Sequence, residues 1–364
     1  MYISLFTAAP YKPQNRALRQ EIFPMPKELI GPAQEQAAFQ EYESAALEKG
    51  QVRVKSLFAA AKHGTEMSQF KGYASPRGGF DRELRVFNYK GEGVKYPVRL
   101  GNMGVGEVVE LGPGVTLLKE GDHVFNYGPF REEHIWPETV RTLPAGVPWQ
   151  AAVCLDPADF ALSAVRDGKV RIGDAVAVSG MGAISLLVLQ FCRLAGAYPI
   201  IAVDPLENRR HAALACGADL ALDPKQCDAG VEIKKATGNR GTDVIIDYSG
   251  HPAALQQALR GIAYLGTVVC GAYPGAWLTG LDLGAEAHMN RPTIIFSRAN
   301  SDPNPDHPNW NNDRIYEVCW RLLSEGQVDC KPIVHPIVPF ADLAEEYPKI
   351  ASHPEENIKL GAHF

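Results

Sequence analysis

At 364 residues the chain has room for about two domains of the usual ~100–200 residues, which excludes a single small domain. Hydrophobic residues make up 46% and charged residues 21%, so an intrinsically disordered chain and a fibre are excluded as well. Thirty-six Lys plus Arg against 42 Asp plus Glu leave a formal net charge of -6, which argues against a nucleic-acid or anionic-membrane partner.

The N-terminal MYISLFTAAPYKP has no basic leader and reads as an opening strand rather than a secretory signal. The segment from about 12 to 50, with QEQAAFQEYESAALEKG, reads as a partly helical insertion. Next come VRVKSLFAAA (52–61), GEVVELGPGV (106–115) and EGDHVFNYGPF (120–130), short segments punctuated by Gly, Pro and Asp. They predict an irregular antiparallel β domain over 1–164. From about Gly173 onward, short Val/Ile/Ala runs alternate with helical stretches. AVAVSG (175–180) precedes a helix over 184–196, YPIIAVD (198–204) precedes NRRHAALACGAD, and DVIIDYSG (243–250) precedes the helix HPAALQQALRGIAYLG. TVVCGAY (267–273) and TIIFSRA (293–299) follow. Continuous apolar strands separated by helices imply a doubly wound parallel α/β domain over 165–301. The tail 302–364, with a helix over RIYEVCWRLLSEG and strands around KPIVHPIV and IKLGAHF, is expected to return to the first domain.

Seven cysteines, scattered singly with no CxxC pair, argue against a disulfide framework or a Cys-rich zinc site and fit a reducing cytosol. Residues 175–192 are eighteen uncharged positions, long enough to test as a membrane span. Gly180, Gly182, Ser179 and Ser185 divide that run into a strand, a turn and a buried helix, so no membrane partner is expected.

The sharpest local signal is Gly180-Met181-Gly182-Ala183-Ile184-Ser185 between a predicted strand and a predicted helix. The first glycine permits a tight turn and the second lets backbone approach a pyrophosphate, which the helix start at Ala183 and Ile184 would receive. Ser185 stands at the third glycine position, so the motif alone is weak. Asp204 closes the next strand 24 residues after Gly180, where a carboxylate accepts ribose hydroxyls and repels a 2'-phosphate. This favours NAD, although Arg209 and Arg210 keep NADP open. Arg209 and Ser249 complete the expected cofactor set.

Together these features resemble the medium-chain dehydrogenase/reductase superfamily, with its GroES-like catalytic domain and Rossmann domain. The resemblance runs through AKHGTE (61–66), LGNMGVG (100–106), GDHV (121–124), GPFREE (128–133) and Asp156-Pro157. It spans almost the whole chain. The superfamily's catalytic zinc slots hold His63, Asn102 and Asp156 here, and Met103 stands where the family has an acidic residue. Asn is a poor zinc ligand, so the resemblance leaves zinc possible but disfavoured. KHGTE, LGNM, YGP (127–129), DPADFALSAVRD (156–167), EAH (286–288) and FSRANSDPNPDHPNW (296–310) look like a sugar-oxidising branch, the bacterial D-guloside 3-dehydrogenases. That likeness implies NAD-linked oxidation of the C3 hydroxyl of a hexopyranoside of guloside or glucoside type. A small carbohydrate is the expected partner, and family behaviour implies a homodimer joined through TIIFSRA.

Alcohol oxidation needs a proton acceptor and stabilisation of a developing alkoxide. On the resemblance, His63 is the expected base, Thr65 passes it the proton and Asp156 orients it, with Lys62 as the competing acid/base. Asn102, Glu66, Glu286, His288 and Arg298 are candidates for sugar contacts, and Arg298 also for nicotinamide; structural ion pairs are the rival reading for the last three. Two other functions stay open. One is a zinc-dependent polyol dehydrogenase using His63, Asp156 and either Glu66 or Asp159. The other is a non-catalytic NAD(H)-binding module.

Overall fold

The computed structural model describes residues 25–73, 78–91, 93–273, 280–299 and 309–364. The expected opening strand lies outside these residues, as do positions 300–308 of the 296–310 motif.

The first domain is organised on the strand Gln51–Ala60, in which Val52, Val54 and Ser56 are buried while Arg53 and Lys55 point outward. It pairs antiparallel with Met103–Leu111 and Glu133–Pro137, and Met103–Leu111 pairs in turn with His123–Tyr127. The C-terminal strand Gly361–His363 pairs antiparallel with residues 58–60, and Ile337–Pro339 lies parallel beside it. The end of the chain is thus hydrogen-bonded into the sheet that carries AKHGTE.

The segment 34–50 differs from expectation. Ala38–Glu41 is a strand paired antiparallel with Lys27–Gly31, and residues 42–48 carry no helix. Its Ala, Gln and Glu content suggested a helix, but Phe39 packs on Phe340, 4.9 Å between ring centroids, and Tyr42 lies under the Arg131 guanidinium. Tertiary packing overrides a weak propensity here.

The second domain begins β1 (Val176–Ser179), α1 (Ala183–Leu194), β2 (Ile200–Val203), α2 (Glu207–Ala215), β3 (Leu220–Leu222) and α3 (Ala229–Ala236). It continues β4 (Thr242–Asp247), α4 (Pro252–Gly261), β5 (Ile262–Cys270) and β6 (Thr293–Phe296). The six strands are parallel in the order β3-β2-β1-β4-β5-β6. That order reverses between β1 and β4, where a crevice opens at the carboxyl ends of the strands. Helix α4 stops at Gly261, so IAYLG is the start of β5 and not the end of a helix. The short strand β3 and helix α3 escaped the sequence reading. The 175–192 run forms β1, the turn and most of α1, and no described helix is long and apolar enough to cross a membrane.

The helix Leu155–Asp167 joins the domains. Its Ala158, Ala161, Leu162 and Val165 share one buried cluster with Leu186 and Leu187 of α1 and with Ile315, Cys319 and Leu323 of the helix Asn312–Ser324. Close packing on two sides fixes the position of its first turn, where Asp156 sits.

Candidate active site

A cleft of about 1570 Å³ runs between the domains, lined by Lys62, His63, Thr65, Asp156 and Phe160 on one side. Gly180, Gly182, Ala183, Ile184, Asp204, Arg209 and Ser249 line the other. The nucleotide side is built from β1. Gly180 adopts φ +82°, and a Cβ there would come within 2.7 Å of the Ser249 Cα, so the position needs glycine. A Cβ on Gly182 would meet only open space, and no side chain caps α1, whose first amides are left free to receive an anion. Asp204 is buried at the end of β2 and holds the turn: Oδ2 accepts from Met181 N–H at 2.6 Å and Oδ1 from Leu206 N–H at 2.8 Å. Arg210 turns away, donating to the Asp204 carbonyl and pairing with Asp223 at 3.2 Å. Arg209 donates to the Asn357 carbonyl at 3.3 Å, and its buried Nε has no partner among the described residues. A glycine cradle, uncapped helix amides and an orphaned guanidinium N–H together fit a dinucleotide phosphate.

On the opposite wall, Lys62 Nζ pairs with Asp156 Oδ1 at 2.9 Å, with side chains 28% and 7% exposed. The same Nζ lies 4.8 Å from the Phe160 ring centroid, a cation–π contact that holds the ammonium at the cleft face. Asp156 Oδ2 accepts from Asn102 Nδ2 at 2.9 Å, and Oδ1 also accepts from Tyr127 OH at 3.2 Å. The carboxylate therefore serves three donors, of which one is a cation.

Several expected roles are corrected by this geometry. His63 lines the cleft, but its Nε2 accepts the Leu360 backbone N–H at 2.9 Å. Burial, reinforced by the Lys359 and Arg209 cations, lowers its pKa to about 3. In this geometry burial favours the neutral imidazole, its Nε2 is taken up by a backbone N–H, and no hydrogen bond joins it to Asp156 among the described residues. Thr65, exposed at the cleft, is the first residue of the short helix Thr65–Phe70 and is not its cap. Glu66 is buried and saturated, accepting Lys62 N–H at 2.8 Å, Gly101 N–H at 2.5 Å and the Tyr347 hydroxyl. Burial raises its pKa and the three donors offset part of that rise. These bonds clamp the 62–66 turn, and Glu66 is not among the residues that line the cleft. Glu286 pairs with Arg260, His288 is exposed on the helix Glu286–Asn290, and Arg298 lies beyond β6; none of the three lines the cleft.

Three residues, Lys359, Tyr127 and Tyr316, were given no role by sequence reasoning, and Asp159 was offered there only as a zinc ligand. Lys359 is buried at the cleft with its Nζ donating to the Ala61 carbonyl at 2.7 Å, and burial lowers its pKa. Tyr127 and Tyr316, from elements 189 residues apart, meet behind Asp156. Asp159, one turn after Asp156, is buried with an unpartnered Oδ1. Only the helical i, i+3 spacing of Asp156 and Asp159 was a signal available in the sequence.

A model of the zinc-binding dehydrogenase family matches residues 183–308, and one of the alcohol dehydrogenase GroES-like domain matches 48–138. The chain is 43% identical over 350 residues to D-guloside 3-dehydrogenase of Escherichia coli strain K12, covering 93% of this chain and 100% of that one. The crystal structure of 2R,3R-butanediol dehydrogenase from Bacillus subtilis superposes with a TM-score of 0.72 at 23% identity, over 93% of this chain and 99% of that one. An alcohol dehydrogenase of Escherichia coli CFT073, complexed with NADH, superposes with a TM-score of 0.70 at 20% identity, over 94% and 100%. The GroES-like sheet, the six-stranded parallel sheet and the near-complete alignment agree, and the chain belongs to the medium-chain dehydrogenase/reductase superfamily as one of its oxidoreductases.

Proposed function

We propose that the protein is an NAD-linked dehydrogenase that oxidises the C3 hydroxyl of a hexopyranoside, of guloside or glucoside type, to the 3-keto-glycoside without a catalytic zinc. The reaction class is supported by the relative named D-guloside 3-dehydrogenase, which aligns over its full length. NAD over NADP is supported by Asp204, buried at the ribose end of β2, with Arg210 drawn off to Asp223.

The observation that carries the mechanism is the Lys62–Asp156 ion pair at the cleft wall. A catalytic zinc needs three protein ligands and an open position. Here Asp156 is already neutralised by an ammonium 2.9 Å away, His63 Nε2 is occupied by a backbone N–H, and Glu66 is engaged by three donors. Asn102 presents its amide N–H₂ to Asp156, and an amide is a weak zinc ligand in any case. These residues do not fit the metal. Lys62 supplies the cation instead.

Held by the Gly180–Gly182 cradle and the first amides of α1, NAD would supply the hydride acceptor for C3. The Lys62 ammonium, held by Asp156, faces the oxygen on which negative charge develops, and on ceding a proton to Asp156 Oδ1 it becomes the amine that takes the C3 hydroxyl proton. Asn102 and Tyr127 keep Asp156 aimed at Nζ, Glu66 fixes the turn that bears Lys62, and Phe160 covers the ammonium. Arg209 and Lys359 add positive charge to the same cleft, where the dinucleotide phosphates would lie. The test is product identification: NAD, metal-quantified protein and methyl glucosides, gulosides and galactosides, with the new carbonyl located by NMR. A 3-ketone is expected; oxidation at another carbon, or turnover that tracks bound zinc, would overturn the reading.

A further inference from the structure

Pockets for one small ligand run to about 300–1,000 Å³. This cleft, at about 1570 Å³, extends past the nucleotide cradle and the turn that bears Lys62 along the helix Thr65–Phe70. The sequence of that helix, TEMSQF, divides its side chains in two. Glu66, Met67 and Phe70 are buried, while Thr65, Ser68 and Gln69, at i, i+3 and i+4, share the face that lines the cleft. Neither the Ser68 hydroxyl nor the Gln69 side-chain amide has a hydrogen-bond partner among the described residues. From Thr65 to Gln69 the helix rises about 6 Å, so this polar face carries the cleft away from the Lys62 turn. The helix then closes on a Schellman motif: Gly72, at φ +69°, donates its N–H to the Gln69 carbonyl at 3.0 Å, and Tyr73 donates its N–H to the Ser68 carbonyl at 2.9 Å. The residue after such a glycine frequently packs an apolar side chain back on the helix. Tyr73 does not; it is 67% exposed and lines the cleft. A ring whose backbone is fixed in this way and whose face is left uncovered offers a flat apolar surface with a polar edge, which suits the C–H face of a pyranose.

We propose that Ser68, Gln69 and Tyr73 form a subsite for the aglycone, and that the aglycone is a second pyranose ring, so that the substrate is a disaccharide and not a simple alkyl glycoside. This rests on the functional reading above and names the substrate class of the same site. A methyl group offers nothing to stack on Tyr73 or to bond to Gln69. An aryl group would stack on the ring, but it would desolvate the Ser68 hydroxyl and the Gln69 amide without replacing their hydrogen bonds to water. A second sugar satisfies both demands, with its C–H face on Tyr73 and its hydroxyls on Ser68 and Gln69. Binding energy gained at this remote ring orients the reacting one, so a truncated substrate loses kcat as well as affinity.

The test measures kcat and KM on the full chain with NAD for methyl glucosides, phenyl glucosides and a set of α- and β-linked glucose disaccharides. At least one disaccharide is expected to exceed the methyl glucoside of the same anomer by about tenfold or more in kcat/KM, with part of the gain in kcat. Tyr73→Ala and Gln69→Ala should each erase most of that preference while leaving kcat/KM on methyl glucoside within about twofold. Gln69→Ala, on an exposed helical position, decides the matter alone if Tyr73→Ala does not fold. Turnover of methyl glucoside with no gain on any disaccharide, a phenyl glucoside that outruns them all, or variants that slow both substrate classes equally would overturn the subsite and leave the dehydrogenase intact. No NADH from wild type on any glycoside overturns the functional reading and the subsite with it.

Discussion

Replacing Asp159 with Asn is expected to stabilise the protein at neutral and alkaline pH. Asp159 is 2% exposed and its Oδ1 has no hydrogen-bond partner among the described residues. Burial, and then the Asp156 carboxylate one turn away, raise its pKa from 3.8 to about 6, against the opposing pull of Lys62. The folded state thus binds this proton more tightly than the unfolded chain does. The group's contribution is most favourable below the unfolded value, deteriorates as pH rises from about 4 to about 6, and is fully unfavourable above that. A rise of roughly two units corresponds to about 3 kcal/mol at ~1.4 kcal/mol per unit. Asparagine has nearly the same shape, carries no charge, and forfeits no bond at Oδ1. Urea unfolding of both proteins across that range should show similar stability near pH 4 and a gap opening toward about 3 kcal/mol in favour of Asp159→Asn by pH 8. A gap that does not change with pH, or a variant less stable than wild type at pH 8, would refute the assignment of a strained buried carboxyl.

Four further outcomes follow from three substitutions in the site. Because the His63 pKa is lowered to about 3, the imidazole is neutral across pH 5–8, so His63→Gln should leave the shape of the kcat/KM profile unchanged. The same shift has a stability consequence: the unfolded histidine binds a proton below about 6.5 and the folded one does not, so wild type should lose stability as pH falls toward 3, and His63→Gln should lose less in acid titration. Gly180→Ala places a Cβ 2.7 Å from the Ser249 backbone at φ +82°, and should cost roughly 1–3 kcal/mol and weaken NADH binding measured by fluorescence. Asp204→Ser removes the carboxylate that disfavours a 2'-phosphate, so the ratio of kcat/KM for NAD over NADP should fall tenfold or more in a steady-state comparison.

The parallel sheet was legible because β1, β2 and β4 are buried on both faces and so read as unbroken Val/Ile/Ala runs. Gly180 was legible because a tight turn of positive φ demands glycine; the two backbone N–H groups that Asp204 accepts were not. The region 34–50 was misread because its strand is decided by Phe39 packing on Phe340, some three hundred residues away, which local propensity does not report. The occupation of His63 Nε2 was hidden for a similar reason. It depends on one backbone N–H, that of Leu360, which enters only when the C-terminal strand joins the sheet. Glu66 looked like a site residue because it follows the motif; its three donors arrive from Lys62, Gly101 and Tyr347, and only the fold reveals that it is spent on them. Tyr127 stood in the YGP segment without a role and Tyr316 in no motif, since each is an ordinary tyrosine until the two hydroxyls meet.

The central claim is that a lysine, and not a metal, serves the oxidised hydroxyl. The most direct measurement compares NADH formation by chelator-treated, metal-quantified wild type and Lys62→Met on the methyl glycoside panel, with NADH affinity measured alongside. The account predicts full turnover by metal-free wild type and a fall in kcat of about a hundredfold or more in Lys62→Met, with NADH binding retained. Activity that vanishes on chelation and returns with zinc, or a Lys62→Met enzyme that turns over as wild type does, would contradict it.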